Sequence, residues 1–316
     1  MARNDLQMSL LRTIRDEPED DIPRLIYADW LEECGDFRAD LIRAQCECES
    51  LASDDPRKNA LLNQCEELIK QFGSMCAEPL ANGFDSRKSS VTIECREFAT
   101  IEFSRGFISN LRMEASDFIA CAELLFGRVP LVFELQLWNV NPVATELAKL
   151  EELTYVDSLR IAGDLLTSDT LCQLVSSGHL QDFASLDLNA NLLGKQGIVQ
   201  LAKGKWNRLD SLDYSANHLD HEGLNSLAEF ARENQLHHVA LRNTGMETNG
   251  FIGTPAQSTF DLETRHFSRF SERKQRILTH RKHRSRRLAK EYFPNVSRLE
   301  IGGLVLHHNE MGEVDD

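Results

Sequence analysis

The sequence predicts an α/β fold: a solenoid with a parallel sheet on its concave face and helices on its convex face, preceded by a small helical N-terminal module. Three observations carry this prediction. A frame of apolar residues recurs with starts at Ile108, Val132, Val156, Phe183, Leu209 and Leu236, at successive offsets of 24, 24, 27, 26 and 27 residues. Each frame joins a two-residue alternation to a helical stretch. Ahead of the first frame, apolar residues recur at helical spacing instead.

Residues 1–97 are expected to form the helical module and its cap. In residues 17–36, Asp20 or Asp21 is placed to cap a helix and Pro23 suits its first turn. Leu25, Ile26, Trp30 and Leu31 recur at helical spacing, and Gly35 stops the helix. Residues 6–14, 41–51 and 60–72 read as three more helices. Tyr27 and Trp30 are expected to pack, and the nearby acids to cap helices or pair with Arg24 and Arg38.

Residues 98–246 carry the repeats. The clearest copies are Phe183-x-x-Leu186-x-Leu188-x-x-Asn191-x-Leu193 and Leu209-x-x-Leu212-x-Tyr214-x-x-Asn217-x-Leu219. The alternation makes a short strand, and the asparagine turns the chain by bonding its backbone. Asp164 and Thr244 stand at the turn position of two other copies. Thr167 or Ser168, and Asp220, are expected N-caps of the following helices. Gly197 and Gly223 are expected to let neighbouring helices approach closely.

With the apolar residues of each strand turned inward, the residues between them decorate the concave face. One row reads Arg112, Gln136, Arg160, Asp187, Asp213, Ala240; the next reads Glu114, Trp138, Ala162, Asn189, Ser215, Arg242. Gln136, Trp138, Arg160, Asp187, Asp213 and Arg242 are the expected partner-binding residues. Asp187 and Asp213 are expected roughly 5 Å apart by strand spacing. No acid–base partner or metal-spaced cluster accompanies them, so no catalytic residue is assigned.

Residues 247–287 are off period and read as a basic insertion, and residues 288–316 as a last repeat and C-terminal cap in which Val296-x-x-Leu299-x-Ile301 restores the frame. Between residues 265 and 290 lie 11 Lys or Arg against one acid, Glu272, in a chain whose net charge is -15. That balance argues against general nucleic-acid binding but leaves a local basic arm. Its candidate contacts are Arg269, Arg273, Lys274, Arg281, Lys282, Arg284, Arg286 and Arg287.

Composition excludes other classes. Hydrophobic residues make up 41% and charged residues 27%, which suits a folded chain of this length, and no apolar run reaches the ~18 residues of a membrane span. The start lacks the features of a secretory signal, so a cytoplasmic location is expected. Eight cysteines, without a paired C-x-x-C knuckle, are expected to be reduced thiols rather than zinc ligands or disulfides. No P-loop, dinucleotide fingerprint or H-E-x-x-H motif occurs, and no cofactor or metal is expected.

The repeat, with L-G-x-x-G-x-x-x-L-A over residues 193–202, resembles leucine-rich repeats of the ribonuclease-inhibitor subtype. The segment D-D-x-P-R-L-I-Y-A-D-W-L-E-E-x-G-D, followed by R-A-D-L-I-R-A-Q, resembles the repeat-companion domain found at the N-terminus of bacterial repeat proteins. The two resemblances imply a curved scaffold with a companion module to which no established activity attaches. The expected function is therefore non-enzymatic: recognition of a partner protein on the concave face. The alternative is nucleic-acid or acidic-partner binding through residues 265–290.

Overall fold

The computed structural model describes residues 2–76, 81–85, 92–95, 99–127, 129–242, 293, 298–301 and 304–307. Four helices come first: α1 (Ala2–Asp16), α2 (Ile22–Glu33), α3 (Arg38–Ser50) and α4 (Lys58–Cys76). Then come β1 (Ala81–Asp85), β2 (Thr92–Cys95), β3 (Ala99–Ser104), β4 (Phe107–Glu114), α5 (Ala115–Phe126), β5 (Val132–Trp138), α6 (Ala144–Leu147) and β6 (Val156–Arg160). The chain continues through α7 (Ser168–Ser176), β7 (Ser185–Asp187), α8 (Gly194–Leu201), β8 (Ser211–Asp213), α9 (His221–Glu233), β9 (His238–Leu241), β10 (Arg298–Ile301) and β11 (Leu304–His307).

These strands form one sheet whose spatial order is the chain order. The ladders from β4 to β10 are parallel; those joining β1 to β4 and β10 to β11 are antiparallel. The fold is therefore α/β with a mostly parallel sheet. Register follows the sequence offsets: Leu111, Leu135, Leu159, Leu186, Leu212, Val239 and Leu299 are successive cross-strand partners. The first six are buried in one continuous core with the apolar faces of α5 and α7–α9, to which Phe293 also belongs. Burying so many aliphatic side chains along one seam is the main stabilising term of this architecture.

The turns explain the asparagines. Asn217 is fully buried; its Oδ1 accepts from the N–H groups of Asn191 (3.2 Å) and Leu193 (3.0 Å), and its Nδ2 donates to the carbonyls of Leu188, Tyr214 and Ser215. Asn191 does the same one strand earlier, accepting from Asp164 and Leu166 and donating to Ile161, Leu188 and Asn189. The residues flanking each asparagine, Ala190 and Leu192 or Ala216 and His218, hold positive φ, a conformation that L-residues adopt only when the surroundings enforce it. Asp164 keeps the acceptor half of this role, taking the N–H groups of Asn139 and Val140. Thr244 lies outside the described residues.

Thr167 caps α7 through Thr170 N–H, and Asp220 caps α9 through Gly223 N–H at 2.7 Å, as the spacing predicts. Gly197 has a different reason from the one expected. A Cβ there would lie 2.1 Å from the Tyr214 hydroxyl, which donates to the Gly194 carbonyl, so the glycine makes room for a core tyrosine and not for a neighbouring helix.

The N-terminal region differs from the expectation in two ways. Residues 81–85 and 92–95, expected within a helical module, are strands that extend the sheet. In α2 the buried stripe is Pro23, Arg24, Tyr27, Ala28 and Leu31, while Leu25 and Ile26 are exposed. Tyr27 decides the rotation of the helix, because its ring stacks on both Trp30 (5.5 Å) and Phe107 (5.8 Å). Arg24 covers the ring of Phe133 and donates to the Asp20 carbonyl, so Asp29 and Glu32 pair instead with Arg43. Arg38 pairs with Asp36. Capping of α2 falls to Asp20, whose Oδ1 accepts from Ile22 N–H; Asp21 makes no side-chain cap. At the end of α1, Asp16 meets Arg208, which also binds Asp157, so the helices run along the N-terminal ends of the strands.

Candidate functional site

Alternation fixes what the sheet displays on the face opposite its apolar core. Residues 112, 136, 160, 187, 213 and 240 are cross-strand partners in one row. Arg112, Arg160 and Arg242 are exposed; Gln136, Trp138, Asp187 and Asp213 are half-buried. The six expected partner-binding residues thus lie on one face. Ala240 and Ser215 are buried and contribute no open surface; the Ser215 hydroxyl accepts from Arg242 N–H.

Asp187 and Asp213 are partners across β7 and β8, yet each is engaged elsewhere. Asp187 Oδ2 pairs with Arg160 Nε at 3.2 Å, and Asp213 Oδ2 with Arg242 Nη2 at 2.9 Å. Their Oδ1 atoms accept from the N–H groups of Asn189 and Ser215, both at 2.9 Å. The face is therefore a series of cross-strand ion pairs. Gln136 donates to Glu134, and Asn139 to Glu114.

Burial raises the Asp187 pKa, helped by the charges of Asp213 and Glu134 and opposed by Asn189 N–H and Arg160. Since the folded chain holds this proton more tightly than the unfolded chain, the Asp187 charge lowers stability at neutral pH. That penalty vanishes as pH falls through the raised pKa into the ordinary carboxylate range and below. Asp187→Asn is expected to be at least as stable as the parent at pH 7 in urea titrations, with any gain shrinking toward acid. A variant that loses more stability at pH 7 than at acidic pH would contradict this assignment.

Arg112 belongs to the expected row but is not among the expected partner-binding residues. Its guanidinium carbon sits 5.6 Å from the centre of the Trp138 ring, and among the described residues no carboxylate pairs with it. The signal was available: an offset of 24 residues sets residues 112 and 114 beside residues 136 and 138. The Arg208, Asp157 and Asp16 cluster had none, because its members come from three distant segments.

Cys46, Cys48 and Cys65 are buried free thiols. Burial pushes the Cys46 pKa up to about 12 and that of Cys65 to about 11, which keeps both protonated and disfavours metal binding. Among the described residues no group of three or more His, Cys, Asp or Glu is arranged to hold a metal, and no helix is long and apolar enough to cross a membrane. No protein-family model and no curated protein matches the chain. Its surface is what speaks for function. The basic residues Arg269, Arg273, Lys274, Arg281, Lys282, Arg284, Arg286 and Arg287 lie outside the described residues.

Proposed function

We propose that the chain is a non-enzymatic leucine-rich-repeat scaffold that binds a partner protein on the concave face of its repeats, with a repeat-companion module at its N-terminus and a cytoplasmic location. One observation carries the reading. Arg112, Gln136, Arg160, Asp187 and Asp213 are held in a single cross-strand row, each fixed by its own rung, and Trp138 stands beside them. Rigid side chains at strand spacing lose little entropy on binding, and arginine and tryptophan are the residues that most often anchor interfaces. The other reading, nucleic-acid or acidic-partner binding by residues 265–290, is supported by the charge of that segment alone.

Affinity capture from native lysate tests the proposal. At least one protein held by the parent is expected to be lost from a folded Trp138→Ala/Arg160→Ala/Asp187→Ala variant and kept after deletion of residues 265–290. A set of captured proteins unchanged by the three alanines contradicts the concave-face reading. Loss on deletion alone transfers the function to the basic segment.

A further inference from the structure

The face carries a cleft between Arg112 and Arg160, and its chemistry selects a ligand. About 230 Å³ of space is bounded by Arg112, Gln136, Leu137, Trp138, Arg160 and Ala162. It exists because Ala162 is small where its neighbours in the same row, Trp138 and Asn189, are large, so the row has a gap one side chain wide. The lining holds two guanidinium groups and no carboxylate. Arg112 lies against the Trp138 ring, which fixes its plane without neutralising it. Arg160 meets Asp187 through Nε, which leaves its two terminal nitrogens for a ligand. Beside Asp187, the acids Glu134 and Glu114 also flank the lining; they accept from Gln136 and Asn139 and confine the positive character to the gap.

Resting on the concave-face reading above, we infer that this cleft receives a single carboxylate side chain from the partner protein. The carboxylate lies between the forks of Arg112 and Arg160, and the stem of the side chain packs on the Trp138 edge and the Ala162 methyl. Paired guanidinium donors match a carboxylate bidentately, and the interaction is stronger in a half-closed cleft than in open water. A polyanion is a poor occupant, because the acids flanking the gap and the overall charge of -15 repel a continuous run of phosphates.

The chain has three tryptophans, so the indole N–H signals report the cleft separately from Trp30 and Trp206 once Trp138→Phe has assigned its own. The full chain is titrated with the peptide acetyl-Gly-Leu-Glu-Leu-Gly-amide and with twins carrying glutamine or lysine in place of glutamate. The glutamate peptide is expected to move the Trp138 signal saturably, to bind roughly tenfold or more tightly than the glutamine twin, and to weaken as salt is raised. Arg112→Gln is expected to abolish that preference while the Trp30 and Trp206 signals stay at their parental positions. Equal binding of the glutamate and glutamine peptides, a Trp138 signal that none of the three moves, or an unchanged preference in Arg112→Gln would each overturn the carboxylate cleft. Lysate capture does not depend on ligand charge; a partner lost from the triple variant there would leave the wider reading standing after such a failure.

Discussion

Replacing Gly106 by alanine is expected to destabilise the protein by about 3 to 5 kcal/mol, by the combined cost of overpacking and left-handed backbone. Gly106 has φ +84, and an added Cβ would lie 2.1 Å from Ile42 Cγ1 and 2.8 Å from the Ile42 Cα. A flexible tip can swing aside; a backbone atom of α3 cannot. The same turn is pinned by Gln45, whose Oε1 accepts from Gly106 N–H at 2.6 Å and whose Nε2 donates to the Phe103 carbonyl. Arg105, itself at positive φ, reaches from this turn to the Pro18 carbonyl and to Glu19 and Asp21. Forcing α3 away from the turn would therefore loosen the helices from the sheet as a unit. Gly35→Ala supplies the control, since φ is +72 there but no heavy atom lies within 4 Å of the added Cβ. Urea unfolding of the two variants separates the terms. A Gly106→Ala loss no larger than that of Gly35→Ala would mean that α3 does not press on the β3–β4 turn.

Asn217→Ala is expected to cost a similar amount, about 3 to 5 kcal/mol, because several buried backbone groups lose their partner together. Two N–H groups and three carbonyls bond this one amide, and water cannot replace it at a fully buried site. The left-handed residues Ala216 and His218 flank the lost amide, and Ala216 keeps its N–H bond to the Arg242 carbonyl. Asn217→Asp is expected to be no better than alanine, since it keeps the acceptor but turns a charged oxygen toward three carbonyls. Asp164→Ala, which removes two bonds at a half-exposed turn, is expected to cost less. Thermal unfolding ranks the three. A near-neutral Asn217→Ala would show that the turns are held by the strands alone.

The stacked strands were legible because a parallel ladder copies the sequence offset into space: residues 24 to 27 apart in the chain become neighbours in the sheet. The asparagines were legible as turns, but not as bridges between successive rungs, since their partners lie in the preceding copy. β1 to β3 were not legible, because an antiparallel extension has no repeat to announce it, and the strands are short and carry polar residues. In α2, spacing alone admitted two rotations of the helix, and the choice falls to the rings of Phe107 and Phe133, some 80 to 110 residues away. The row on the open face was readable residue by residue. What it does with its charge was not, because the pairing of Arg160 with Asp187 and of Arg242 with Asp213 depends on side-chain reach across strands.

The row exists only if neighbouring strands lie side by side in the observed register, and an engineered disulfide tests this most directly. Ser185 and Ser211 are partners across β7 and β8, roughly 5 Å apart at Cα by strand spacing, within disulfide reach; Ser158 and Ser211 are two strands apart, about 10 Å. Under mild oxidation, peptide mapping of Ser185→Cys/Ser211→Cys is expected to find the two cysteines linked within one chain, and that of Ser158→Cys/Ser211→Cys is not. Failure of the first pair to link, or linkage of the second in its place, would contradict the in-register stack and the binding face built on it.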